Sequence, residues 1–145
     1  MTMSKIVRYL LFFSLFTLIA CKNEKTPVPY GPVDIHLDLN QPIFNSFIIG
    51  THIFITGGGS GQGIAVYRVT QNEFKAYDRM CTSTSHGDYQ KLVMSGQSAI
   101  LLECPACGSR FSLIDGSVNR GPAQFQLTEY QTFYNSTANT LWISN

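Results

Sequence analysis

Short segments of apolar or alternating residues recur after residue 32, and clusters of Gly, Pro, Asn and Asp separate them. Residues 33–39 alternate between apolar and polar side chains, which is typical of a strand with one buried face. No segment shows a long helical period. The pattern predicts an all-β domain, an antiparallel sandwich or small barrel. The predicted strands are residues 33–39, 53–56, 64–69, 74–77, 99–102, 111–113, 130–134 and 141–144.

A glycine-rich segment, residues 57–63, lies between two of these strands. A phosphate-binding loop of similar composition ends in Lys and then Ser or Thr, and it opens a helix. Here residues 64–66 are Ile, Ala and Val, which predict a strand instead. The segment is therefore interpreted as a flexible hairpin loop.

The N-terminus has the organisation of an export signal. Lys5 and Arg8 form a basic region, and residues 9–19 are almost wholly apolar but too few to span a bilayer. Residues 18–21, Leu-Ile-Ala-Cys, resemble the lipobox of bacterial lipoproteins. The resemblance implies cleavage before Cys21 and its acylation, which would anchor the chain to membrane lipid. The alternative is an ordinary secreted protein with a Cys near its cleavage site.

This interpretation divides the chain into a lipoprotein signal peptide (residues 1–20), a lipidated tether (21–32) and one domain (33–145). Three prolines within the tether disfavour helix and sheet. The expected location is the bacterial cell envelope, facing the periplasm or the cell surface. The whole chain has a net charge of +1. Without a basic patch, no nucleic-acid partner is expected.

Three cysteines remain once Cys21 is assigned to the lipid. Cys104 and Cys107 lie in a tight loop bounded by Pro and Gly, and Cys81 lies in a polar loop after the 74–77 strand. Two thiol-bearing loops on a β scaffold can hold a metal ion or a cluster. A thioredoxin-like redox motif is disfavoured because a strand, rather than a helix, follows Cys107.

The same residues resemble a Rieske domain. The matching positions are Arg79 and Cys81, then residues 104–111 (CPACGSRF), and then Asp115-Gly116, residues 121–123 (GPA), Leu127 and Tyr130. The resemblance covers about residues 33–145 and is strong only from Tyr77 onward. It implies a Rieske-like β fold with two metal-binding loops and a [2Fe–2S] cluster that passes single electrons to a redox partner protein of unknown identity.

The ligand pattern departs from that family. Rieske centres use two Cys on one iron and two His on the other. Cys81 and Cys104 match the Cys pair, whereas the two His positions fall at Ser83 and Cys107. His86, three residues beyond Ser83, becomes a ligand if the loop refolds, and Ser83 remains the other candidate. Gly108 and Ser109 match the positions that approach and tune the cluster.

These residues leave two classes of function open. The first is a membrane-anchored electron carrier with Cys81, Cys104, Cys107 and His86 as ligands. The second is a degenerate Rieske fold that acts as a structural or binding module and holds zinc, a disulfide or no metal. We expect no stand-alone catalyst, because the sequence lacks a Ser/His/Asp grouping and motif-paired carboxylates.

Overall fold

A computed structural model describes residues 28–29, 31–87 and 89–145 of the chain. The predicted signal peptide and Cys21 lie outside these residues. The described part contains one 3₁₀ turn, Pro42–Phe44, and ten strands. The strands are β1 (Asp34–Asp38), β2 (His52–Ile55), β3 (Ile64–Arg68), β4 (Phe74–Asp78), β5 (Val93–Met94), β6 (Leu101–Glu103), β7 (Arg110–Ser112), β8 (Val118–Arg120), β9 (Glu129–Asn135) and β10 (Thr140–Ser144).

Six strands form one antiparallel sheet, which we call the base sheet. Its order is β1-β10-β9-β4-β3-β2. Strands β1, β9 and β10 alternate in exposure, so one face of that side of the sheet packs inward. The core under this face is built from aliphatic and aromatic side chains, including Val33, Phe47, Ile64, Phe74, Leu141 and Ile143.

Four short strands form a second antiparallel sheet in the order β5-β6-β7-β8. They belong to the segment between β4 and β9, which we call the insert (residues 79–128). The segment leaves and rejoins the base sheet at neighbouring points, because β4 pairs with β9 and the Asp78 amide donates to the Thr128 carbonyl at 2.9 Å. A second core joins the two sheets through Ala65, Tyr77, Leu92, Leu102, Phe111, Leu113 and Leu127.

The predicted all-β antiparallel fold is confirmed, with differences at its shortest elements. Strand β6 begins at Leu101, two residues later than predicted, because residues 99 and 100 lie in a turn. Strands β5 and β8 were not predicted. β5 has only two residues, and β8 is mostly exposed, so neither carries a readable alternation of burial.

The glycine-rich segment joins β2 to β3 as an antiparallel hairpin, as predicted. Side chains of the base sheet also hold it in place. The buried Asp78 carboxylate accepts hydrogen bonds from the Ser60 amide (3.1 Å) and hydroxyl. The Tyr130 hydroxyl donates to the same carboxylate at 2.5 Å and accepts from the Gly59 amide at 2.7 Å.

The end of the predicted tether packs against this hairpin. Val28 is buried, and the backbone of Gly31 lies so close to Gly59 that a Cβ atom on Gly31 would come within 2.9 Å of the Gly59 carbonyl oxygen. The side chain of Asn145 donates to the Gly31 carbonyl at 2.6 Å and accepts from the Val33 amide at 3.0 Å. No helix in the described residues is long and apolar enough to cross a membrane.

Candidate metal centre

Two loops of the insert carry the predicted ligands. Loop one (residues 79–92) follows β4, and its two ends pair like strands. The Cys81 amide donates to the Gln90 carbonyl at 2.8 Å, and the Leu92 amide donates to the Arg79 carbonyl at 2.7 Å. Cys81 is therefore held at the base of the loop, next to the sheet.

The Arg79 side chain closes the base of loop one. Its Nε and one terminal nitrogen donate to the Leu92 carbonyl at 3.1 and 2.7 Å. The guanidinium lies 3.5 Å from the centre of the Phe54 ring. Burial lowers the pKa of this guanidinium, yet the two hydrogen bonds and the ring contact compensate its charge. The sequence resemblance included Arg79 but gave it no role.

Loop two (residues 104–109) is a tight turn between β6 and β7. The Gly108 amide donates to the Cys104 carbonyl, and the Cys104 amide donates to the Ser109 carbonyl, both at 2.9 Å. Gly108 has a φ of 70°, in the left-handed region that favours glycine. The turn brings Cys104 and Cys107 to the same side of the loop.

The side chains of the two loops converge on one point. Ligand atoms of Cys81, His86, Cys104 and Cys107 all lie within 4.8 Å of one another. Cys81 Sγ is 3.8 Å from Cys107 Sγ, and His86 Nε2 is 3.5 Å from Cys104 Sγ. Cys81 and Cys104 are buried, whereas His86 and Cys107 are partly exposed. The structure thus brings together the four residues proposed as ligands from the sequence.

Ser83 is the other candidate for the fourth ligand. Its hydroxyl lies 2.8 Å from the Ser85 hydroxyl, and its backbone amide donates to Cys81 Sγ at 3.5 Å. The Ser83 backbone therefore contacts Cys81, one of the proposed ligands, and the loop reaches His86 three residues further on.

Ser109 links loop two to the downstream Gly-Pro-Ala segment. Its hydroxyl oxygen accepts a hydrogen bond from the Ala123 amide at 2.9 Å and lies 3.1 Å from Cys107 Sγ. Because Ala123 is the donor to this oxygen, the Ser109 hydroxyl proton is available to the Cys107 sulfur. The Ala123 amide was not identified as part of the site from the sequence, since a backbone donor leaves no residue-type signal.

The thiols differ in their ease of ionisation. Burial raises the pKa of Cys81 well above its ordinary value. Burial opposes ionisation of Cys107 as well, but hydrogen bonds from the Ser109 hydroxyl and backbone and contacts with the other two thiols lower its pKa to about 6. Cys107 is therefore more ready than Cys81 to act as a thiolate in the metal-free chain.

This geometry defines the class of protein: an all-β domain with a group of Cys and His side chains between two adjacent loops. The family model for the Rieske [2Fe-2S] domain matches residues 52–131, more than half of the chain. The chain therefore belongs to the Rieske [2Fe-2S] domain family, which confirms the resemblance seen in the sequence.

Solved structures with similar folds include ferredoxins. The ferredoxin of carbazole 1,9a-dioxygenase from Nocardioides aromaticivorans IC177 is 18% identical to this chain, with a TM-score of 0.47. The alignment covers 78% of this chain and 96% of the ferredoxin chain. The ferredoxin of Sphingomonas yanoikuyae B1 is 22% identical to this chain, with a TM-score of 0.47. The alignment covers 67% of this chain and 87% of that ferredoxin chain. No curated protein matches the chain.

Proposed function

We propose that this protein is a single-electron carrier of the bacterial cell envelope, anchored to the membrane through Cys21. Its [2Fe–2S] cluster is held by Cys81, Cys104, Cys107 and His86. The observation that carries the proposal is the convergence of these four ligand atoms within 4.8 Å, in a chain of the Rieske family. A redox partner protein would supply or accept the electron.

The donor set suits the cluster chemically. Iron–sulfur clusters accept thiolates, and Rieske centres also accept imidazole nitrogen. When bound, the cluster accepts and releases one electron. The buried side chains of Leu92, Phe111 and Leu127 keep water from the inner side of the site. The partly exposed His86 and Cys107 lie on the outer side, where a partner protein can approach.

The ligand set has a consequence for the reduction potential. A thiolate at Cys107 adds negative charge where the family has a neutral imidazole, and negative charge disfavours reduction. The Ser109 hydroxyl acts in the opposite direction, because donation to Cys107 Sγ withdraws charge from the sulfur. We therefore expect a potential below that of Rieske centres with two His ligands.

A single zinc ion is the second candidate, and one observation favours it. With Zn–S distances of about 2.3 Å, two sulfurs of a tetrahedral site stand roughly 3.8 Å apart. The Cys81–Cys107 separation of 3.8 Å has this value. Membership of the Rieske family gives no support for zinc, so a zinc site is the competing outcome of the test below.

The test is to express the chain without its signal peptide, purify it anaerobically, and measure iron, acid-labile sulfide, zinc and the visible spectrum. The proposal predicts two irons and two sulfides per chain, with a reversible one-electron reduction. Stoichiometric zinc without colour would support the zinc site instead. Absence of both metals would support a structural or binding module.

Variants assign the ligands. We expect His86→Ala and Cys107→Ser to lower the metal content or to change the spectrum. His36→Ala is the matched control, because His36 lies on β1 with its side chain largely exposed, away from the site. If the metal content of His86→Ala equals that of His36→Ala, His86 is not a ligand.

A further inference from the structure

An exposed aliphatic surface lies at the end of the base sheet remote from the metal centre. Residues 39–51, which we call the isoleucine loop, connect β1 to β2. Ile43, Ile48 and Ile49 are 76%, 61% and 53% exposed, whereas Phe47 of the same loop is buried. The loop is therefore anchored in the core by its aromatic side chain and presents its isoleucines to the surroundings.

A cleft with a cationic wall adjoins this loop. Ile48, Ile49, Arg68 and Gln71 line a volume of about 380 Å³. The Arg68 guanidinium donates to the carbonyls of Phe47 and Gln71, both at 3.0 Å. Its Nε is buried and has no hydrogen-bond partner in the described part of the chain. The arginine thus holds the loop in place through its two terminal nitrogens.

The charged side chain of this surface is positive. Residues 39–72 contain no Asp or Glu, and Arg68 is their single Lys or Arg. The three ion pairs found in the described residues do not include Arg68. Glu73 comes next in sequence, and its charge acts on Lys75. The Arg68 guanidinium lies 5.1 Å from the centre of the Phe74 ring but forms none of these ion pairs. Exposed aliphatic side chains beside a cation without an ion-pair partner complement an anionic lipid surface.

The register places this surface opposite the metal centre. Ile64 pairs with Asp78 at the end of β3 that leads to Cys81, whereas Arg68 pairs with Phe74 at the other end. The Gly50 amide donates to the Arg68 carbonyl, which fixes the isoleucine loop at that other end. A bilayer against the loop would leave His86 and Cys107 facing away from the membrane.

The length of chain before the domain permits this contact. Six residues lie between Cys21 and the buried Val28, and the seven Cα-to-Cα steps across them reach at most about 24 Å. The stretch from Gly57 back to Gly50 is also seven steps, or about 23 Å when extended. The tether is therefore long enough for the far end to meet the bilayer and short enough to keep the domain beside it.

We propose that the isoleucine loop and the Arg68 cleft dock on the anionic surface of the bilayer that holds the lipid anchor. The inference rests on the membrane location given under the proposed function. The lipid anchor keeps the domain at the membrane, while the docked loop sets its orientation and directs the metal centre toward the aqueous phase and the redox partner.

The test uses the chain from residue 21 with Cys21→Ser, so that acylation plays no part. Its binding to phosphatidylglycerol/phosphatidylethanolamine vesicles is measured by co-sedimentation and compared with binding to phosphatidylcholine vesicles. We expect binding to the anionic vesicles that salt weakens. The double variant Ile48→Ser/Ile49→Ser should weaken it by about ten-fold or more. Ile114→Ser is the control, because Ile114 is 48% exposed but lies in the insert.

Failure of the parent chain to bind anionic vesicles would overturn the inference, as would equal weakening by Ile114→Ser. A concentration-dependent dimer that the double variant abolishes would identify a second copy as the occupant and would also overturn it. Iron and zinc are measured on the same samples. Loss of metal with retained vesicle binding would contradict the proposed electron-carrier function but not the proposed docking on the bilayer.

Discussion

Cys107 is one of the two residues at which the ligand pattern of this chain departs from the Rieske motif. It occupies the position of the second motif histidine, and its sulfur lies 3.1 Å from the Ser109 hydroxyl and 3.8 Å from Cys81 Sγ. In the proposed cluster, a thiolate here and an imidazole at His86 would make the ligand set intermediate between Cys₄ clusters and Rieske centres with two histidines.

Restoring the histidine should raise the reduction potential. Cys107→His removes a negative ligand from the proposed cluster, so we expect an increase on the order of 100 mV. The potential should also become more dependent on pH, because a second imidazole can then ionise. Protein-film voltammetry across pH measures both effects. An unchanged potential in a variant that keeps its iron would exclude Cys107 as a ligand.

Ser109 should control the ionisation of Cys107 in the metal-free chain. The pKa of about 6 makes Cys107 mostly thiolate at pH 7, and protonation below pH 6 should slow its reaction with iodoacetamide. In Ser109→Ala the lost hydrogen bond should move the midpoint of this pH profile upward. Mass spectrometry of alkylated Cys107 measures the profile. Ser117→Ala, which removes a hydroxyl bonded to Asp115, should leave it unchanged.

The thiols of the site could be predicted from sequence, but the fourth ligand could not be fixed. Cys104 and Cys107 lie in a tight turn, where spacing alone brings side chains together. The choice between Ser83 and His86 depended on the path of loop one. That path is set by contacts remote in sequence, such as the Thr82 hydroxyl donating to the Phe125 carbonyl.

At the scale of elements, the turn between β7 and β8 shows how closely the two sheets pack. Gly116 has a φ of 73°, and a Cβ there would come within 2.8 Å of the buried Tyr77 ring on β4. Its amide donates to the Ser112 carbonyl and its carbonyl accepts from the Leu127 amide. The turn signal in the sequence indicated the bend, whereas the ring contact has no local signature.

Replacing this glycine should destabilise the fold. Gly116→Ala combines an unfavourable backbone conformation with a contact that Tyr77 cannot relieve, so we expect a loss of about 2–3 kcal/mol in the free energy of unfolding. Gly96→Ala is the matched control, since its φ is not in the left-handed region and its Cβ would meet nothing within 4 Å. Urea denaturation compares the two. Equal stability of both variants would contradict the packing described here.

All six strands of the base sheet could be predicted from the sequence, whereas only β6 and β7 of the second sheet could. Strands β1, β9 and β10 have five to seven residues with one buried face. The insert is built from strands of two or three residues, which are held by pairing with neighbours and by the shared core. Such strands are determined by tertiary contacts more than by local pattern.

At the scale of the whole molecule, the lipid anchor and the metal centre should be separable. Cys21→Ser in the full-length chain should move the protein from the membrane fraction to the soluble envelope fraction, because it removes the site of acylation. We expect the iron content to stay the same, because loops one and two supply the four proposed ligands, Cys81, His86, Cys104 and Cys107. Cell fractionation with iron analysis tests this. Retention in the membrane fraction after extraction with salt would contradict anchoring through Cys21.

The insert enters and leaves the base sheet through two adjacent strands, β4 and β9. A segment attached in this way can change its internal length without altering the register of the sheet that carries it. His86, three residues beyond the position of the first motif histidine, lies within this segment. Loops one and two can therefore differ in length or in ligand residues while the base sheet keeps its strand pairing.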